Sequence, residues 1–239
     1  MKKFELTTEF KMFCGIKLYR IKALFSFGNV AEGELGGCIE KEENLDQSGD
    51  AWVSGDALVC GNAVVCGDAR VYGNAEVCGN ARVYGNARVC GDARVYGNAR
   101  VCGDAVVCGD ARVYGNAVVS GDALVCGNAV VCGDARVCGD AVVCGNADYT
   151  TIKGFGSVFR NTTFFRQKDN TIGVVCGCFY GTLEEFRNKV TETHGDTKYA
   201  KEYLMIADLM EMHFAKENLK SAAKPASEDV HQPTLMPGA

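Results

Sequence analysis

The chain has 239 residues, with 25 Lys and Arg against 30 Asp and Glu and a formal net charge of -5; this is room for one extended repeat array and one small partner domain. No apolar run is long enough to span a bilayer, because the stretches around Leu24-Phe25 and residues 204–212 are short and broken by polar side chains. Met1-Lys2-Lys3 starts in the manner of a secretion signal, but Glu5 and Glu9 interrupt the apolar region that would have to follow, so the expectation is a cytoplasmic protein.

Residues 1–48 carry no repeat. Over residues 17–24, Leu18, Arg20, Lys22 and Leu24 alternate with Tyr19, Ile21 and Ala23, the pattern of a strand. Residues 29–37 are rich in glycine turn signals, and Ile39 to Leu45 then lead to Gly49. A repeat array exposes open backbone edges on its first coil, so a non-repeat segment ahead of it reads as an N-terminal cap.

From Gly49 the six-residue phrase Gly-Asp/Asn-Ala-x-Val-Cys/Tyr runs seventeen times without an insertion, with Gly at 49, 55, 61 and on to 145. Ala and Val lie two apart, so on a strand both point to one face, and that face is the interior. The residue between them and the residue after Val point outward. The Gly-Asp/Asn pair tolerates positive φ or bonds its own backbone, so the chain turns every six residues. Three phrases make one three-sided coil of 18 residues, and coils stacked about 4.8 Å apart form a prism about 27 Å long. The stacked valines, each contributing about 1.5–3 kcal/mol on burial, hold the rod together. Because each coil touches only its neighbours, Val101→Asp in the middle is expected to do more damage than Val53→Asp near the start.

These residues resemble the hexapeptide-repeat proteins. The resemblance covers residues 49–150 and implies a left-handed parallel β-helix, with subunits associating as parallel trimers. The lead-in Phe27-Gly-Asn-Val-Ala-Glu-Gly-Glu-Leu-Gly-Gly-Cys-Ile-Glu, followed by Glu43-Asn-Leu and Trp52-Val53, is similar to that of bacterial and phage hexapeptide-repeat proteins, mostly of unassigned function and some provisionally called transferases. It strengthens the reading of residues 1–48 as a cap and brings no catalytic residue with it.

The phrase decays at Ala147-Asp148-Tyr149-Thr150, and residues 153–156 read as a last imperfect turn, so the β-helix is placed at 49–154. Residues 162–167 and 171–178 are β-rich runs joined by Lys168-Asp169-Asn170, a hairpin signal. Thr182-Leu-Glu-Glu185 is a capping box opening a helix with Leu183, Phe186 and Val190 on one face, and Gly195 would stop it. A second helix over about residues 197–219 carries Tyr199, Tyr203, Ile206, Met210 and Phe214 along one stripe. The fold class is thus mainly β, with a small C-terminal α+β domain at 155–220 docked on the open end of the rod. From 221 to 239 the Pro, Ser and Ala content reads as a disordered tail.

Chemistry is sparse. A resemblance to hexapeptide acyltransferases or carbonic anhydrases would call for histidines as general base or zinc ligands, but His194, His213 and His231 all lie outside the rod. No loop leaves the rod to build a site. His194, next to the helix-ending Gly195, favours a helix C-terminus, and Cys176-Gly-Cys178 without a second pair reads as buried strand cysteines and not as a metal site. No catalytic, cofactor or metal residue is expected.

Ten of the fourteen cysteines occupy the position after Val, which follows the coil period and not a bridge pattern. They read as small surface residues in a reducing compartment; oxidation between coils, or binding of a soft metal, is the secondary reading. Residues 18 apart form outward columns: Arg70, Arg88, Val106, Leu124 and Val142 on one wall, with Cys90, Cys108, Cys126 and Cys144 beside them. The distal half of that wall is an apolar strip, and Val106, Leu124, Val142, Cys108 and Cys126 are the candidate self-association interface. Arg interleaved with Tyr suggests nucleic acid, but the rod holds seven Arg and no Lys against eleven acids, a net charge of -4 that lacks the electrostatic footprint; the Arg rows are expected to gain from cross-row acids and from solvent. The favoured reading is a non-enzymatic structural or interaction protein, self-associating and presenting a face or its C-terminal domain to a protein partner. The alternative, from another class, is a degenerate transferase or a small-molecule binder at subunit clefts.

Overall fold

Small apolar residues at a six-residue spacing leave the chain one way to bury them all, and it winds into a three-walled β-solenoid of about six turns in the computed structural model, which describes residues 2–215. Sixteen two-residue strands, β4 (Trp52–Val53) to β19 (Val142–Val143), pair in parallel with the strand 18 residues on, as Arg88 does with Val106. Every Ala from Ala51 to Ala141 and every repeat Val from Val53 to Val143 is fully buried in one continuous core.

The N–H groups on either side of each repeat Val point to carbonyls of the following coil, as from Arg88 N to Ala105 O at 2.9 Å, while the N–H of the Val itself points back to the preceding coil, as the pairing of Arg88 with Val106 requires. A parallel stack leaves carbonyls and N–H groups open at both of its ends. The two caps meet them with polar groups, and the far cap carries donors as well as acceptors: Tyr149 gives its hydroxyl to Val130 O, and Asn161 Nδ2 donates to Asp134 O at 2.8 Å. At the start, Lys3 Nζ, on a side chain 1% exposed, donates to Gly49 O at 3.1 Å and Ala51 O at 2.9 Å, and Asn44 Nδ2 donates to Gly61 O at 3.1 Å and Ala63 O at 2.9 Å. At the end, Asn146 Oδ1 accepts from Val130 N at 2.9 Å, Thr163 Oγ1 from Arg136 N at 3.1 Å, and Asp148 Oδ2 from Cys144 N at 3.0 Å.

The N-terminal segment supplies a hairpin, β1 (Phe4–Phe13) and β2 (Ile16–Ala23), and β3 (Leu35–Ile39), which pairs antiparallel with β2 and parallel with β5 (Leu58–Val59). Ile39 lies opposite Val59 and Leu45 opposite Val65, so the coil geometry begins ahead of the first regular phrase. Phe4, Ile21, Ala23 and Val30 close the interior beneath it. The sides of β2 differ from simple alternation: Leu18, Ile21 and Ala23 are buried, because an irregularity between Arg20 and Lys22 shifts the pairing.

At the other end the coil interior stops at Val143. Ala147 is exposed in a short turn over Asn146–Asp148, and Tyr149 already begins β20 (Tyr149–Phe155), so the seventeenth phrase and residues 153–156 belong to the next layer and do not form a last coil. With β21 (Arg160–Arg166), β22 (Ile172–Cys176) and β23 (Phe179–Thr182), β20 makes a four-stranded antiparallel sheet. This sheet is buried on both faces: Phe165 and Val175 continue the rod's core, while Phe164 and Val174 pack on α1 (Leu183–His194) and α2 (Lys198–Phe214). Thr182 and Glu185 form the capping box of α1, and Gly195 at φ +53 ends it. The α2 stripe is corrected at one position: Tyr203, Ile206, Met210 and Phe214 are buried, but Ala200 takes the place given to Tyr199, which is 39% exposed. The tail expected at 221–239 lies outside the described residues.

Candidate functional site

The outward columns stack in register along each wall. Val106 pairs with Leu124 and Leu124 with Val142, so the structure brings the expected interface residues into one line, all three half-buried. Cys108 lies beside them as a half-buried free thiol. Cys126 is joined to Cys144 as a disulfide across 18 residues, with Cα atoms 4.4 Å apart, which corrects the reading of ten unbridged repeat cysteines. Two cysteines one coil apart hold their Cα atoms at the strand spacing, and that spacing falls within the range a disulfide spans. A second correction concerns Cys60, which is 6% exposed beneath the hairpin and packs with Leu18 and Cys38.

The remaining columns carry stacked polar groups. Tyr96 and Tyr114 lie face to face, with centroids 4.8 Å apart. Tyr72, Tyr84 and Tyr114 each sit one coil before a cysteine, and hydrogen bonding to the sulfurs of Cys90, Cys102 and Cys132 raises the three phenols. On the wall that holds Cys60, a hydrogen bond from Cys60 lowers Cys78 to about 7, and Cys60 is raised in turn. The Arg rows face solvent more than acids. Arg70 lies beside Arg88, Arg82 beside Arg100 and Arg94 beside Arg112, and among the described residues the one rod arginine with a carboxylate partner is Arg94, 3.3 Å from Glu76. Six-residue spacing stacks like on like, so the acids fall on the turns and not opposite the arginines.

No histidine lies on the rod, and among the described residues no group of three or more His, Cys, Asp or Glu is placed to hold a metal ion. No described helix is long and apolar enough to cross a membrane. His194 closes α1 and stacks on Tyr203 at 5.9 Å. Neither Cys176 nor Cys178 is a buried strand cysteine: Cys176 is half-buried and accepts from Thr162 Oγ1 at 3.2 Å, and Cys178, in the turn between β22 and β23, is exposed.

Both cysteines border a cavity of about 350 Å³ between the β20–β21 turn, the β22–β23 turn and α1. Phe186 and Val190 form its deep part, and Arg160 and Lys189 stand at its exposed edge. Tyr203 also lines it; burial and then Cys176 raise its phenol to about 12, and its hydroxyl donates to Phe155 O at 3.3 Å. Sequence reasoning named Cys176, Cys178, His194 and Tyr203 singly but missed the cavity, since four separate elements build it.

Residues 75–91, 93–109, 107–121 and 111–127 match the family model described as YdcK beta solenoid repeat. The chain is a β-solenoid repeat protein. The matched stretches lie wholly inside the rod and take in well under half the chain, so the similarity speaks for the repeat and not for the two caps. No curated protein matches the chain.

Proposed function

We propose that the protein is a non-catalytic scaffold, in which the solenoid associates with copies of itself and holds the C-terminal domain at the end of a rigid rod. The observation that supports this is the Val106-Leu124-Val142 line: a row of aliphatic side chains on the outside of a wall whose interior is already filled by Val107, Val125 and Val143. Stacking within the column buries these outward aliphatics only in part, and contact with another subunit would remove the rest of them from water. Three copies with these strips turned to a common axis, left-handed and parallel as in the hexapeptide-repeat proteins, is the arrangement we infer. Sedimentation velocity of the reduced protein over a range of concentrations tests it. A trimer is expected, and a monomer at every concentration would overturn it. The transferase alternative has no histidine on the rod and no excursion from it to draw on.

A further inference from the structure

The cavity in the C-terminal domain is independent of the scaffold reading. It carries positive charge without a matching acid: Arg160 and Lys189 line it, and no Asp or Glu does. Lys189 is partly spent, 2.8 Å from Glu192. Arg160 is not. Among the described residues the arginines with carboxylate partners are Arg20, Arg94, Arg166 and Arg187. Its guanidinium instead lies across Gly177, where an added Cβ would meet Nη1 at 2.3 Å. The deep wall is apolar, with Phe186 3% and Val190 4% exposed, and Phe179 adds a third apolar side chain.

The rim is apolar too. Val158 is 57% exposed, and its neighbour Phe159 is 66% exposed at φ +52, a backbone region that an aromatic residue rarely adopts. Exposed apolar surface thus continues from the cavity's edge onto the β20–β21 turn. An apolar wall of this size with a few convergent polar groups has the composition of a small-molecule site.

We propose that this cavity binds a small amphipathic anion: an apolar body of one ring or a short alkyl chain packs on Phe179, Phe186 and Val190, and its acidic group pairs with Arg160, assisted by Lys189. An unpaired guanidinium beside a desolvated wall selects this combination, because it offers a forked donor to the charge and apolar area to the body.

Cys178 provides the readout, since it is exposed at the cavity, while Cys14 is exposed at the opposite end of the molecule in the β1–β2 turn. The full chain is alkylated with iodoacetamide, and both sites are followed by peptide mass spectrometry with octanoate, octanol or sulfate present, each below the concentration at which it aggregates. Octanoate at about four times its dissociation constant should slow Cys178 about fivefold and leave Cys14 unchanged. Octanol and sulfate should protect weakly, and Arg160→Gln, at an exposed position, should lose the octanoate effect while melting like wild type. Equal slowing of both cysteines, equal protection by octanol or by sulfate, or full protection in Arg160→Gln would each overturn the proposal.

Discussion

Lys3 is a buried charge with a structural task. Its ammonium donates to the carbonyls that a parallel stack leaves open, and Lys3→Met, which keeps most of the stem, is expected to cost about 1–3 kcal/mol by orphaning them. Burial lowers its pKa below the usual lysine value, against the opposing pull of Asp46, Asp50 and Asp68. The unfolded chain then holds this proton more tightly, so between the folded value and the unfolded value of about 10.4 the group's contribution to stability rises with pH. Melting of wild type relative to Lys3→Met, followed upward from neutral pH, should show that rise; a difference that shrinks with pH would contradict it. Two turn glycines give a second test at this scale. Gly115 at φ +74 and Gly133 at φ +68 both sit where a side chain is strained, but a Cβ on Gly115 would lie 2.9 Å from Gly133 N, while one on Gly133 meets nothing within 4 Å. Gly133→Ala should therefore cost about 1–2 kcal/mol and Gly115→Ala clearly more, measured by urea denaturation. Equal midpoint losses would show that steric contact between coils is not what separates them.

Among the elements, the walls, the strand at β2, the β21–β22 hairpin and both helices were legible in the sequence, and the polar contacts that close the two ends were not. A phrase that repeats Ala and Val at fixed offsets states its own interior, and Ala51 to Ala141 are buried as that pattern requires. The end caps obey no period. Lys3 looks like the start of a signal segment, and β1 escapes notice although Phe4, Leu6, Phe10 and Met12 alternate, because its pairing with β2 shifts between Leu6 and Phe10. The difference expected between Val53 and Val101 loses its basis for the same reason. Val53 is not at a bare end: β3 runs against it, where a Cβ on Gly37 would meet its Cγ1 at 2.8 Å. Val53→Asp and Val101→Asp are now expected to abolish cooperative melting alike, since each places an unpaired carboxylate in a fully enclosed core. Survival of a cooperative transition in Val53→Asp alone would restore the original ranking. The disulfide adds a bond between successive coils, so denatured, unreduced protein should titrate twelve thiols of its fourteen cysteines.

At the level of the whole molecule, the solenoid is one sheet-walled column closed by a polar cap at each end, and its outer walls sort like with like. That sorting produces the arginine rows, the Tyr-Cys stacks and the aliphatic line together, which is why the columns could be written down from spacing alone. The C-terminal cavity could not, because no spacing links Arg160, Cys178 and Lys189. The scaffold account rests on the aliphatic line meeting another copy. Light scattering of Leu124→Glu beside Arg112→Glu, a charge reversal on a different wall, tests this most directly. The account predicts that Arg112→Glu keeps the wild-type assembly mass while Leu124→Glu falls to a folded monomer; one mass for wild type and both variants would contradict it.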